Sequence, residues 1–470
     1  MKPKKRYWVL AVALLIPITF AGAHPEQRML GQTEDVLAAK KRLSEDFVNA
    51  LVLAQERYAG EVDFNQLTKT SIIGMLNTLD PHSSYLDRKE FEDFLSKQRS
   101  RYSGIGSTIL QYGARVYIIS PFNGTPAHRA GIKYGDQIVE INGESTEGLN
   151  SRQVSTRLLG PEATQVTVKV ARPGHSAPLE FKLIRASVPL PSITNYHMLG
   201  NGVGYINLDA GFNTTTHEEM RRALKDLEDQ GMTSLIFDLR RNPGGLVDQA
   251  QRVSNIFLFR GQKIVSMRGR PSVFPAREYV AHNNDPEPYP LVVLIGRGTA
   301  SAAEIVAGAL QDHDRARIVG EDSFGKALVQ NIFQLKDGSG LTLTTGHYYT
   351  PSGRLIQREY AGRSFYDYYL RRDDNEKPSK TDEKRTDNGR TVYGGGGIQP
   401  DVTVKIPNRE LELQRYWAET VFQFTRHLVN GQIAGLTEFK IDRPSDHKHK
   451  LAANEYQIND KVLAAFKAFV

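Results

Sequence analysis

A chain of 470 residues, 40% hydrophobic and 24% charged, is long enough to build two or three separate hydrophobic cores. It contains no cysteine, which excludes disulfides, thiolate metal sites and a cysteine nucleophile. The net charge of +7 is not a nucleic-acid footprint, because Lys2, Lys4, Lys5 and Arg6 supply more than half of it; no nucleic-acid partner is expected.

Those basic residues open a targeting pattern. An apolar run from Tyr7 to Phe20 follows them, then Ala21-Gly22-Ala23, an A-x-A cleavage signature, so residues 1–23 read as a signal peptide. Export, to the periplasm or outside the cell, is the expectation. The alternative is an uncleaved anchor, for which the run is short against the roughly 20 residues that span a bilayer.

Residues 30–98 read as an N-terminal helical region. Val48, Leu51 and Val52, then Leu67, Ile72, Met75 and Leu76, fall at helical spacing, and the region is expected to serve packing or dimerisation. Leu79 to Tyr85, with Asp80, Pro81, Ser83 and Ser84, has loop composition, and His82 within it is read as structural.

Over 100–186 the pattern changes to short strands punctuated by glycine and proline, at Val116–Ser120, Gln137–Ile141 and Gln165–Val170, with one short helix near Ser151 to Leu158. The glycines of Ser103-Gly104-Ile105-Gly106 precede a strand and would let backbone N–H groups converge on an anion such as a terminal carboxylate. Gly104, Ile105 and Gly106 are therefore the candidate peptide-binding residues, with the peptide added as a strand at the sheet edge. These residues, with Gly124-Thr125-Pro126-Ala127, Ala130 to Asp136 and Ile141-Asn142-Gly143, resemble the PDZ domains of proteases. The alternative role of such a module is a lid or spacer.

From 187 to 410 strands alternate with helices, which argues a layered α/β domain. Val203–Leu208, Ser234–Leu239, Leu291–Ile295 and Arg317–Val319 read as strands. Helices are expected at His217–Gln230, where Thr216 and Glu219 have capping-box spacing, near Val247–Phe259, and from Ser301 to Gln311. Residues 360–397 are charged, end in four glycines and read as a partly disordered surface insertion. A helix over about Arg409–Leu428 is expected to close this domain, within a C-terminal helical segment at 411–470, and the basic stretch Lys440 to Lys450 reads as a solvated face.

The chemistry concentrates in two segments. Thr299-Ala300-Ser301-Ala302-Ala303-Glu304 places a serine where a strand meets an apolar helix, where free N–H groups favour negative charge and small neighbours admit a carbonyl. In isolation, such a serine is more often an N-cap. The second segment, Glu321 to Gln330, nearly matches a phosphate-binding loop, since Gly320-x-x-x-x-Gly325-Lys326 has its spacing. Ala327 stands where the magnesium-binding hydroxyl is needed, however, and Val329, Ile332 and Phe333 favour a strand across Ala327–Leu335 where that loop opens a helix. On a strand, Lys326, Leu328 and Gln330 share a face. A lysine base there must be desolvated so that its pKa falls from about 10.4 to roughly 7.

The segments Thr299–Ala309, Phe324 to Gln330 and Leu239-Arg240-Arg241-Asn242-Pro243-Gly244-Gly245-Leu246 resemble the carboxyl-terminal processing peptidases, also called tail-specific proteases. The similarity extends to the Leu79–Ser83 loop, the PDZ-like module and Thr350-Pro351-Ser352-Gly353-Arg354. It implies a serine endopeptidase on a crotonase-like core, with Ser301 as nucleophile, Lys326 as general base and Gln330 positioning the lysine. It also implies an oxyanion hole from N–H groups of Gly244 or Gly245 and of Ala302, no cofactor, and exported protein substrates with accessible apolar C-terminal tails. The chain departs from the commoner pattern at Thr299, Ala303 and Ala327, and in the insertion after Gln357.

No H-E-x-x-H motif occurs, so no zinc site is expected, and no G-x-S-x-G elbow frames Ser301. His313 or His347 could complete a serine triad as an alternative to the lysine. Outside peptidases, the competing readings are a silent PDZ-bearing scaffold and an acyl-CoA enzyme with the related core. The sequence leaves open an activating adaptor protein and a homo-oligomer.

Overall fold

A computed structural model of the chain describes residues 34–98, 101–361, 368–369, 382–404, 411–441 and 457–470. The leader expected at 1–23, the charged run 371–374 and the basic stretch beyond 441 lie outside the described residues. No described helix is long and apolar enough to cross a membrane. The chain divides into two compact units, one drawing on residues up to 95 and on 191–405, the other on 96–190 and 406–470.

The first unit holds a six-stranded sheet in the spatial order Asn195–Gly200, Val203–Asn207, Ser234–Asp238, Leu291–Ile295, Arg317–Gly320 and Val402–Thr403. All neighbours are parallel except the first pair. The inner strands are apolar and nearly continuous, as parallel strands covered on both faces must be. Helices Thr216–Glu228, Val247–Phe257 and Ala302–Asp312 supply apolar faces to the same core. Every residue of Ala302–Asp312 is buried, and its small side chains let it run inside the unit. An antiparallel sheet joins Ser84–Leu86, Gly340–Tyr349, Lys263–Gly269 and Arg277–Val280, with Leu328–Gln334 also paired to Gly340–Tyr349.

Some details of this unit differ from the sequence reading. The capping box at Thr216 is not made: the Glu219 carboxylate accepts instead from the N–H groups of Ser192 and Ile193, at 2.7 and 3.0 Å. The loop expected through Tyr85 ends earlier, because Ser84–Leu86 pairs with Gly340–Thr342. The glycine run that closes the insertion is packed, not loose. Gly397 has φ +91°, and a Cβ there would stand 2.6 Å from Ser323 Oγ. Its N–H bonds Ile356 O at 2.9 Å, and Ile398 N–H bonds Ser323 Oγ at 2.6 Å.

In the second unit an antiparallel sheet runs Ser107–Tyr112, Arg115–Pro121, Gln137–Ile141, Gln165–Ala171 and Leu179–Ile184, with Glu144–Ser145 on the third strand. Inward residues Val116, Ile118, Ile138, Val166, Val168 and Val170 pack against Val154 and Leu158 of the helix Ser151–Leu158. Asn150 and Gln153 close a full capping box on that helix. Ser107–Tyr112 is an edge strand, and Gly104, Ile105 and Gly106 lie at its entrance. The helix Leu411–Val429, expected to close the catalytic domain, packs on this β module instead. Phe422 stacks on Tyr112 at 4.6 Å between ring centroids, and Arg426 donates to Gly135 O at 2.6 Å and Ala171 O at 3.0 Å.

Candidate active site

Three loops leave the carboxyl ends of three adjacent parallel strands, the place where open α/β sheets bind ligands. Asp238 leads into Leu239–Gly245, Ile295 into Gly296–Ser301, and Gly320 into the segment that ends at Lys326. Short bonds lace them together. Thr299 Oγ1 donates to Leu239 O at 2.7 Å, Ala300 N–H to Asn242 O at 2.9 Å, and Phe324 N–H to Thr299 O at 2.8 Å. Thr299 thus earns its place by joining the first loop to the second, a role its hydroxyl shares with serine.

Ser301 sits at the turn from strand to helix with φ 60° and ψ −121°, a backbone conformation that costs on the order of 1–3 kcal/mol outside glycine. The fold holds it there from several sides. Its N–H donates to Glu304 Oε2 at 2.7 Å, and its carbonyl accepts from Glu304 N–H at 2.8 Å and from Tyr348 Oη at 3.0 Å. Because the helical N–H groups go to that carbonyl, Ser301 Oγ is left buried with no hydrogen-bond partner among the described residues. A buried hydroxyl without a partner is rare and calls for a reason.

Lys326 is 4% exposed and Gln330 2%. Lys326 Nζ donates to Gln330 Oε1 at 2.9 Å, and Gln330 Nε2 donates to His82 O at 2.6 Å, so the amide is fixed in one orientation. The strand begins at Leu328, later than expected, and a register shift lies between Val329 and Gln330, yet the two side chains still meet. Burial pushes the Lys326 ammonium down to about 8, against the opposing pull of the Asp80 and Glu304 charges.

Glu304 organises both segments. Its fully buried carboxylate accepts from the N–H of Ser301, from Lys326 N–H at 2.9 Å, from Gly325 N–H at 2.7 Å and from Ser323 Oγ. Burial raises its pKa and the four donors oppose that rise. Tyr348 repeats the arrangement on the carbonyl side, its hydroxyl reaching both Ser301 O and Lys326 O. Neither Glu304 nor Tyr348 stood out in the sequence as more than a helix residue and a strand residue.

The glycine loop lies against the serine. A Cβ on Gly244, whose φ is +99°, would stand 2.6 Å from Ser301 Cβ and 3.0 Å from Ala302 N. The Gly244 N–H is occupied by Asn242 Oδ1 at 2.8 Å. Among the described residues, the N–H groups of Gly245 and Ala302 have no partner.

His82, read from the sequence as structural, has both ring nitrogens engaged, Nε2 with Tyr368 Oη and Nδ1 with Tyr369 Oη, each at 2.9 Å. Burial, with the Lys326 and Arg358 charges, pushes its pKa down to about 2. His313 caps the far end of the Ala302–Asp312 helix, about 18 Å along the axis from Ser301, and its nitrogens meet Asp387 Oδ2 and Lys263 O, each at 2.7 Å. It is therefore out of reach of Ser301. No cluster of metal-ligating side chains occurs among the described residues.

The family model described as Peptidase family S41 matches residues 202–362, the PDZ domain model 121–172, and the model of the activating protease CtpB N-terminal domain 18–90. The carboxy-terminal-processing protease of Bartonella bacilliformis is 38% identical over 305 residues, covering 64% of this chain and 69% of that protein. That of Synechocystis is 33% identical over 374 residues, covering 76% of this chain and 86% of the relative. A solved photosystem II D1 C-terminal processing protease matches with 28% identity and a TM-score of 0.40, covering 80% of this chain and 94% of that one. With relatives so similar over so much of their length, the chain belongs to the carboxy-terminal processing proteases of peptidase family S41, PDZ-bearing hydrolases of the serine type.

Proposed function

We propose that the protein is an endopeptidase that cleaves exported proteins near their C-terminal tails with a Ser301–Lys326 centre. The observation that carries this reading is the double tether of Ser301 and Lys326: Glu304 Oε2 accepts from both amides, at 2.7 and 2.9 Å, and the Tyr348 hydroxyl meets both carbonyls. A tether this close suits a nucleophile and its base better than it suits an N-cap and a surface lysine.

The neutral Lys326 amine takes the Ser301 Oγ proton as Oγ bonds to the substrate carbonyl carbon. The carbonyl oxygen, now negative, is received by the N–H groups of Gly245 and Ala302; of the two glycines, Gly245 is preferred because the Gly244 amide is already engaged. Gly244 then serves by leaving room beside the serine. The lysine ammonium passes its proton to the leaving amine, the peptide C–N bond breaks, and water releases the acyl group from Ser301. Gln330 holds Nζ on course throughout. The layered core is read as crotonase-like on the strength of its parallel sheet and flanking helices.

In the β module, the edge strand Ser107–Tyr112 is the proposed receiver of the substrate tail, with Gly104, Ile105 and Gly106 at its entrance to meet the terminal carboxylate. The leader reading supports export. The test is cleavage of an unstructured protein with an apolar C-terminus. Wild type cuts it and Ser301→Ala and Lys326→Ala, folded, do not; full activity in either variant contradicts the assignment.

A further inference from the structure

Lys326 is held by more than its glutamine. Gln330 can present Oε1 to Lys326 Nζ only while its Nε2 is anchored, and the anchor is the main-chain carbonyl of His82, 248 residues away in sequence. What fixes that carbonyl is therefore part of the lysine's environment. From one side Asp80 pins the loop, its carboxylate accepting from His82 N–H at 2.8 Å, Ser83 N–H at 2.7 Å and Ser83 Oγ at 2.6 Å. From the other side the His82 ring is gripped by two consecutive tyrosines.

The Pro81 carbonyl, which can only accept, sets a consistent direction for the hydrogen bonds around those tyrosines. Gln357 Nε2 donates to Tyr368 Oη at 3.2 Å, which leaves the Tyr368 proton for His82 Nε2. Tyr369 Oη donates to Pro81 O at 3.1 Å, so it accepts from His82 Nδ1–H. The imidazole is thus neutral with its proton on Nδ1. Gln357 Oε1 in turn accepts from Ala327 N–H at 2.8 Å, the residue next to the lysine. A closed ring results: Ala327, Gln357, Tyr368, His82, Gln330 and back to Lys326. The aromatic rings also shield it, since Tyr368 meets His82 edge to face at 5.4 Å and Tyr369 does so at 5.6 Å.

We propose that Tyr368 and Tyr369 are positioning residues for the catalytic base, acting through His82 and Gln330 to hold Lys326 Nζ in a dry, fixed place. The proposal rests on the Ser301–Lys326 reading above. The hydroxyls do not reach the lysine; they fix the ring that fixes the carbonyl that fixes the amide. Removing them leaves His82 with unmet nitrogens in a buried site, which loosens the loop and admits water. The charges that act on Nζ are Asp80 and Glu304, and the His82 ring feels both Lys326 and Arg358. Since desolvation is the main cause that lowers the lysine, water reaching Nζ moves its titration upward.

The test is the pH profile of kcat for Tyr368→Phe/Tyr369→Phe in the full chain, beside wild type, Ser301→Ala and Lys326→Ala, with an unstructured protein as substrate. The expected result is a folded double variant with KM unchanged, kcat reduced by about 10- to 100-fold at neutral pH, and a midpoint displaced to higher pH. A merely structural role lowers the active fraction and leaves the midpoint in place, which overturns the proposal. So does a wild-type profile in the double variant while both alanine variants are dead; the dyad then stands without its tyrosines. Full activity in Ser301→Ala or Lys326→Ala removes the underlying reading and the proposal with it.

Discussion

The amides of Ser301 and Lys326 donate to the same oxygen, Oε2 of Glu304, at 2.7 and 2.9 Å. The carboxylate also takes Gly325 N–H and Ser323 Oγ, so Glu304→Ala leaves four buried donors without an acceptor. At about 1–3 kcal/mol for each donor left unmet, a loss of several kcal/mol is expected. Denaturant unfolding of the variant measures it, and peptidase activity should fall at least 100-fold even at temperatures where the variant stays folded. An unchanged midpoint would mean that the carboxylate is dispensable to the site.

The burial that suits Lys326 to its proposed role weakens the fold. Its pKa of about 8 in the folded protein lies below the ordinary 10.5, so below pH 8 folding must bury a charge that the unfolded chain keeps hydrated. That penalty is roughly 3 kcal/mol. Between pH 8 and about 10.5 the unfolded state binds the extra proton, so stability rises with pH across that window and the penalty disappears above it. Lys326→Met is expected to be inactive and more stable than wild type at pH 7, with the gap closing as pH rises toward 10.5. Thermal unfolding of both proteins at pH 7 and pH 10 tests the sign.

Gly244→Ala should separate catalysis from folding. Its Cβ would fall 2.6 Å from Ser301 Cβ and 2.8 Å from Ala300 O, in a φ of +99° that side chains rarely adopt. The displacement falls on the serine and on the Ala302 amide. A drop in kcat of at least 100-fold with a smaller fall in substrate affinity is the expected split. Equal losses in kcat and affinity would point to general disruption of the loop.

Arg354 and Asp312 form a buried ion pair at the far end of the serine helix. Arg354 also meets Gln311 Oε1 at 3.0 Å and Tyr393 O at 3.1 Å, and Asp312 accepts from Ser352 N–H at 2.9 Å. Removing one partner strands the other charge, so Arg354→Met should cost about 3–5 kcal/mol. Pairing it with Asp312→Asn should recover part of that loss. A chemical denaturation series on the single and double variants decides whether the two residues act as a pair.

Much of this was legible in the sequence because it is local. The parallel strands Ser234–Asp238 and Leu291–Ile295 announce themselves as apolar runs and the serine helix as an alanine-rich stretch. Lys326 does meet Gln330, but not by the strand alternation read from the sequence, because Lys326 precedes the strand Leu328–Gln334 and the register shifts at Gln330. What the sequence hid is non-local. The His82 carbonyl reaches Gln330 across 248 residues, and no periodicity within Leu79–Tyr85 encodes that partner. Strands such as Lys263–Gly269 and Gly340–Tyr349 mix polar and apolar residues and find their pairs only in the assembled sheet. Gly394–Gly397 read by composition as the end of a partly disordered surface insertion, whereas its last glycine is required by the approach of Ser323. The proposed choice between the two glycine amides needs coordinates too, since the Gly244 N–H donates to Asn242 Oδ1 whereas that of Gly245 has no partner among the described residues.

If neutral Lys326 activates Ser301 as proposed, the rate at which a fluorophosphonate labels Ser301 depends on pH in wild type and not in Lys326→Ala. The expected result is a label on Ser301, a rate that rises through a single midpoint near pH 8, and loss of that rise in the variant. Labelling that is independent of pH, or equal in the two proteins, would contradict it.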